Sequence, residues 1–158
     1  MDRFFTESKL FAGLNNSEKV LLGALCVEKK LCKDEFLFKE NDAGSCIYFV
    51  ADGMIRISKK VAEGEPVTLA IAKAGDIFGE LAIIDAMPRY ADAAAMSETR
   101  VYVLEKSDIL SLKEKDPKTA ISIMEILLDS LAKRLRKITD RSYGIYLSLI
   151  HISEPTRP

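Results

Sequence analysis

Between Val27 and Lys106 the apolar residues recur with a period near two, while on either side the period lengthens to that of a helix. Phe36 and Phe38 flank Leu37 in a dense apolar strand, Cys46-Ile47-Tyr48-Phe49-Val50 is apolar throughout, and Met54 to Ser58 alternates. Asp52-Gly53 is a hairpin signal between the last two, and Glu63-Gly64 makes another turn before Val67 to Ala72. Further extended runs cover Ala91 to Met96 and Val101 to Leu104. Short strands at this spacing predict a chain that is mainly β with flanking helices, built as an antiparallel jelly-roll β-barrel over residues 27–116.

Residues 1–26 read as a helical lead. Phe4, Phe5 and Phe11 mark a short helix that packs on the barrel, and Asn15 with Glu18 has capping-box spacing ahead of Val20, Leu21, Ala24 and Leu25. On the far side Ser107 or Asp108 caps a short helix through Leu112, and Asp116-Pro117 opens a long one over residues 117–142. There Ile121, Met124, Leu128, Leu131, Leu135 and Ile138 are spaced 3, 4, 3, 4, 3, a heptad seam. Ile123, Ile126 and Leu127 form a second apolar face, which can lie on the barrel. A helix buried against its own domain needs one such face. Two predict a parallel homodimer through residues 117–142.

Ser142, Tyr143 and Gly144 weaken the heptad, and Pro155 and Pro158 end any helix. The run Ser148 to Pro158 reads like a translated adapter sequence. Residues 143–158 are therefore expected to be non-native or disordered, with the natural chain continuing differently after about Ser142.

Composition narrows the function. The 158 residues are 48% hydrophobic and 30% charged, with a formal net charge of −1, so no global basic surface points to nucleic acid. Lys133, Arg134, Arg136 and Lys137 cluster on the long helix, where cations suit a solvated face near a C-terminus, and Asp129 sits four before Lys133. No run approaches the roughly 18–20 apolar residues of a membrane span, and the N-terminus does not resemble a signal peptide. The three cysteines lack metal-type spacing and read as reduced thiols, which predicts a cytoplasmic protein. One histidine, His151, cannot assemble a cupin-type metal site or a Ser-His-Asp set. An enzyme, a catalytic residue and a metal are not expected.

The informative chemistry lies in residues 75–92. Gly75-Asp76 turns, Ile77-Phe78 ends a strand, and Gly79 lets backbone approach something closely. Glu80 to Ile84 fits one buried helical turn whose first N–H groups lack partners, and Pro88 sets Arg89 at the head of the next strand. A helix N-terminus and an Arg fork suit a single phosphate. A carboxylate there would repel it, so Glu80 fits hydroxyls such as a ribose offers. Phosphate plus ribose is a nucleotide. The plainer alternative is a surface ion pair between Glu80 and Arg89.

Gly75, Phe78-Gly79-Glu80-Leu81-Ala82 and Pro88-Arg89 with Ala91 resemble the phosphate-binding cassette of cyclic nucleotide-binding domains. These are the sensor modules of catabolite-activator-type regulators, cAMP-dependent kinase regulatory subunits and cyclic-nucleotide-gated channels. The resemblance implies a cyclic nucleotide monophosphate as regulatory ligand, with cAMP the leading expectation and no other cofactor. It assigns Arg89 to the phosphate, N–H groups of Leu81, Ala82, Tyr90 and Ala91 to its shell, and Glu80 to the ribose 2′-hydroxyl. Ile57, Leu69 and Ala70 would line base or sugar, and Arg134 and Thr139 on the long helix would touch the base. Occupancy would be transmitted through that helix. Tyr90 departs from the small residue usual there. Either strand alternation turns its ring away, or the ring narrows the pocket and shifts nucleotide preference. Asp92 is compatible with bacterial members. Two alternatives accompany the sensor: a truncated N-terminal part of a DNA-binding transcription regulator, and a degenerate domain acting as a dimerisation or interaction scaffold.

Overall fold

The computed structural model describes residues 2–153. Local chemistry starts the N-terminal helices. Asp2 caps α1 (Arg3–Glu7) by accepting the Phe4 N–H at 2.8 Å, and Ser8 caps a 3-10 turn at Lys9–Phe11. Asn15 and Glu18 form the expected capping box, both bonds at 2.9 Å, at the head of α2 (Asn16–Leu25).

Eight strands follow in two sheets: β1 (Val27–Leu31), β2 (Phe36–Phe38), β3 (Cys46–Asp52), β4 (Met54–Lys59), β5 (Val67–Lys73), β6 (Ile77–Phe78), β7 (Asp92–Ala95) and β8 (Thr99–Glu105). The first sheet has the order β1-β8-β3-β6 and the second β2-β7-β4-β5, each four-stranded and antiparallel. The expected antiparallel β-fold with a long C-terminal helix is present, but its two sheets are not closed into a barrel, since among the described residues no ladder joins them. Their edges β6 and β2 hold two and three residues, too few to carry a ladder round the corner.

Asp52-Gly53 is likewise not a hairpin. β3 and β4 belong to different sheets, and the chain turns the corner between them with Gly53 at φ +83°, against Thr99. The Thr99 hydroxyl accepts the Met54 N–H and donates to the Met54 carbonyl, both at 3.2 Å, which fixes the first residue of β4 away from β3.

Two cores share β3. Ile47 and Phe49 face α1, α2 and the C-terminal helices, packing with Phe5, Phe11, Leu22 and Leu104, while Cys46, Tyr48 and Val50 face the second sheet with Ile55, Phe78 and Ala93. A strand buried on both faces needs no polar alternation, which is why Cys46 to Val50 is uninterrupted. α3 (Leu81–Ile84) belongs to the cassette. α4 (Lys106–Lys115) and α5 (Pro117–Ser153) close the chain, and Asp116 accepts both the backbone N–H and the hydroxyl of Thr119 as α5 begins.

α5 lays Ala120, Ile123 and Leu127 on the core and leaves Ile121, Leu128, Leu135 and Ile138 more than half exposed. Lys133 pairs with Asp129 at 2.7 Å. The boundary expected near residue 142 is not a structural one, because the helix continues through Gly144 to Ser153. A lone glycine costs a helix only about 1 kcal/mol, and no proline intervenes before Pro155. Pro155 and Pro158 lie outside the described residues. Among the described residues no helix is long and apolar enough to cross a membrane.

Asp2 also ties the lead to the first sheet, accepting bonds from Arg100 and the Tyr102 hydroxyl, both at 2.5 Å. The Phe4 N–H, then Tyr102 and then Arg100, hold its carboxyl down to about 2 from 3.8. The folded value is the depressed one, so this contribution is present above the ordinary carboxylate range and lost as pH falls toward 2. Urea midpoints followed from about pH 6 to about pH 2 should therefore fall more steeply for the parent than for Asp2→Asn, the two curves converging between about pH 4 and about pH 2.

Candidate functional site

The cassette runs from β6 through α3 to the start of β7. Gly79 ends β6 at φ +79°, and a Cβ there would lie 2.9 Å from Arg89 Nη1 and 3.0 Å from the Tyr48 ring. Only glycine fits both the angle and the gap. The first backbone bonds of α3 come from Ile83 and Ile84 N–H to the Glu80 carbonyl, so the N–H groups of Leu81 and Ala82 lie ahead of the ladder.

Arg89 is 4% exposed. Nη1 donates to the Gly79 carbonyl at 2.7 Å and Nη2 to the Cys46 carbonyl at 2.8 Å, while the guanidinium lies 4.3 Å over the Phe38 ring and 5.5 Å from that of Tyr48. Its backbone is pinned as well: the Arg89 N–H donates to the Asp42 carbonyl and the Asn41 N–H to the Arg89 carbonyl, both at 2.8 Å. Among the described residues it has no carboxylate partner, and its Nε is buried without a hydrogen bond.

Glu80 is 1% exposed. Its Oε1 accepts from Nη1 of Arg134 on α5, whose Nη2 donates to the Ile77 carbonyl, and its Oε2 has no partner among the described residues. The surface ion pair between Glu80 and Arg89 is therefore excluded. Both groups are buried, and the carboxylate is paired with α5 instead.

The remaining expected residues divide. Ala82 and Ala91 are buried beside Arg89 and Leu81 is exposed. Ile57 and Ala70 stand opposite each other in the β4–β5 ladder, in line with the inward Ile55 and Ala72, and Leu69 falls at the bulge beside them. Thr139 does not join the cluster; it is exposed, with its hydroxyl turned back to the Leu135 carbonyl. Tyr90 is 62% exposed, with Lys59 Nζ 3.8 Å from its ring centre, so alternation turns the ring away from the buried Arg89. Asp92, also buried, accepts the Glu40 N–H at 2.7 Å.

A cavity of about 350 Å³ borders the cassette and includes Lys59, Leu81, Arg89 and Tyr90, but not Glu80, Ile57, Leu69, Ala70, Arg134 or Thr139. Phe38, Gly44, Cys46 and Tyr48 were not foreseen. They lie far from Arg89 in sequence, and no local pattern marks them as its cage. Among the described residues no cluster of His, Cys, Asp or Glu could hold a metal ion.

A profile described as the cyclic nucleotide-binding domain matches residues 28–116. The chain is 31% identical over 130 residues to the cyclic AMP receptor protein of Thermus thermophilus, covering 82% of this chain and 58% of that one. It is 28% identical over 137 residues to the CRP-like cAMP-activated global transcriptional regulator of Mycobacterium tuberculosis, covering 87% and 59%. The crystal structure of a cyclic nucleotide-binding domain from Methylobacillus flagellatus superposes with a TM-score of 0.79 at 29% identity, covering 88% of this chain and 78% of that one. The chain thus spans less than two thirds of the two regulators.

Gly44 offers a test of the cage. A Cβ there would collide with that of Ala82 and lie 3.1 Å from Arg89 Nε. Gly44→Ala should destabilise the fold by about 1–3 kcal/mol in urea denaturation, as overpacking does. An unchanged midpoint would mean that the β2–β3 loop yields freely and does not hold the cassette.

Proposed function

The chain belongs to the cyclic nucleotide-binding domain family, and from that premise we propose that it is a regulatory sensor of a cyclic nucleotide monophosphate, cAMP first among them. One observation carries the reading: the cassette buries a cation and a carboxylate that do not pair with each other, and each keeps one unpartnered atom, Arg89 Nε and Glu80 Oε2. Buried polar atoms without partners are costly, and a ligand offering an anion and a hydroxyl answers both. Arg89 takes the cyclic phosphate, with the N–H groups of Leu81, Ala82, Tyr90 and Ala91 around it. Glu80 Oε2 takes the ribose 2′-hydroxyl while Oε1 stays with Arg134. Ile57, Leu69 and Ala70 line sugar or base, and Thr139 reaches the ligand only if α5 moves.

Transmission runs through the Glu80–Arg134 link, which joins the carboxylate that takes the ribose to α5 directly. A ligand shifts α5 only by binding one of its positions better than another. The exposed seam of Ile121, Leu128, Leu135 and Ile138 then serves a cytoplasmic homodimer as output. The relatives' coverage favours one second reading: this chain corresponds to the sensor part of a transcription regulator whose remaining length lies outside the match.

Calorimetric titration with cAMP and then cGMP tests the reading. The parent should bind, Arg89→Ala should lose about 2–5 kcal/mol because a desolvated anion is left unpaired, and Tyr90→Ala should change affinity by less than about 0.5 kcal/mol, as exposed positions do. Heat from neither nucleotide, with the chain folded, would sink the proposal. Sedimentation tests the output element separately. The parent should be a dimer, and Leu128→Lys with Leu135→Lys should be a folded monomer; a monomeric parent would remove the seam from the mechanism.

A further inference from the structure

The cavity beside the cassette separates the proposed ligand contacts by what they would hold. Leu81, Arg89 and Tyr90, three of the residues proposed for the phosphate, line it, while Glu80, Ile57, Leu69 and Ala70, proposed for ribose and base, do not. The cavity is therefore the phosphate end of the proposed site. Arg89, 4% exposed and with Nε unpartnered, brings one cation to its wall. Lys59, the last residue of β4, brings a second, which no local sequence pattern marks.

The Lys59 ammonium is held from three sides. Nζ donates to the Tyr90 carbonyl at 3.2 Å, pairs with Glu40 Oε1 at 3.2 Å and lies 3.8 Å from the centre of the Tyr90 ring. Glu40 is fixed in turn, since its N–H donates to the buried Asp92 at 2.7 Å. An ammonium has three donors, so one N–H is left without an acceptor among the described residues. The Lys59–Glu40 pair is part-exposed, and a pair of that kind is weak enough for another anion to compete with it. The other carboxylate on the cavity, Asp85, accepts the Met87 N–H at 3.0 Å.

We propose that Lys59 is a further binding residue for the ligand's phosphate, donating its free N–H to one exocyclic oxygen while Arg89 stabilises the group from the buried side. The inference rests on the nucleotide reading above and adds a residue to it. The two cations differ in what they can reach. Arg89 is locked by the Gly79 and Cys46 carbonyls, whereas the ammonium rotates on a flexible stem and enters from β4. The assignment also gives Tyr90 a use. Its ring faces outward and offers the phosphate nothing, but its carbonyl and ring together bring a cation from another strand beside the residue that follows Arg89. Tyr90→Ala keeps the carbonyl and leaves Glu40 to hold Lys59, which is why that change alone should cost little.

Calorimetry on the full chain tests the assignment. Lys59→Met should raise the cAMP dissociation constant about fivefold or more, the loss of one charge-assisted bond, and Lys59→Arg, which keeps charge and donors, should stay within about twofold of the parent. Glu40→Gln should tighten binding, because the carboxylate that competes for the ammonium is gone. A purely structural ion pair would instead lose affinity with either half removed, and this sign stands even where Lys59→Met fails to fold. The two diastereomers of adenosine cyclic phosphorothioate, each with sulfur in place of one exocyclic oxygen, locate the contact. The loss on Lys59→Met should largely vanish with one of them and persist with the other. Equal losses with both, weaker binding by Glu40→Gln, or an unchanged constant for a folded Lys59→Met overturns the assignment and leaves the nucleotide reading intact. A folded parent that binds neither cAMP nor cGMP removes both.

Discussion

The conformation of the cassette depends on burying one guanidinium. Removing a cation from water costs several kcal/mol, and without a counter-charge the cost is offset only by hydrogen bonds and packing. Arg89 finds the Gly79 and Cys46 carbonyls and the face of Phe38, which couples the end of β6, the start of β3 and β2 to one side chain. Each partner then carries a constraint of its own. Gly79 must keep a positive φ to turn its carbonyl inward, Gly44 must leave space where any side chain would meet Ala82, and Asp42 must hold the Arg89 backbone. Elements distant in sequence are thus selected together by a single buried charge.

That dependence explains what the sequence could and could not disclose. The two-residue period, the capping box at Asn15 and Glu18, and the cassette letters are local properties, and they appear in the structure where the pattern puts them. The uninterrupted run Cys46 to Val50 carried more than strand length: it records that the first sheet has a core on each face. The Asp52-Gly53 corner misleads because a turn dipeptide reports the backbone angle and not which sheet the next strand joins. Thr99, which decides the matter, lies on β8. Nor could spacing show that Glu80 ignores Arg89 and pairs with α5, since Arg134 is 54 residues away. Tyr90 was ambiguous in sequence and is resolved by alternation, because Arg89 beside it must point inward.

α5 stands between two demands. Ala120, Ile123 and Leu127 bind it to the core over its first turns, yet the next strong link to the domain is Arg134, which reaches Glu80 and the Ile77 carbonyl. From residue 135 to residue 151 every side chain is exposed. An isolated helix in water is marginal unless an apolar face is covered. The distal half is therefore stabilised chiefly through Arg134 and through whatever covers Leu135 and Ile138, so a change at Glu80 is felt where the helix has least else to hold it.

The same argument places the movable part of the molecule at the cassette. The first sheet is clamped between two cores, and its strands have long registers with one another. β6 joins that frame by the pairs Tyr48–Phe78 and Phe49–Ile77 and by two bonds between Val50 and the Gly75-Asp76 turn, after which the chain runs through one helical turn and Ala86 at φ +56°. A left-handed conformation costs a residue with a Cβ about 1–2 kcal/mol, so the loop before Pro88 holds strain against few contacts. Segments of that kind open at lower free energy than the whole fold. A strained loop on a rigid frame is the segment with most freedom to rearrange locally, and the Glu80–Arg134 pair ties it to the middle of α5.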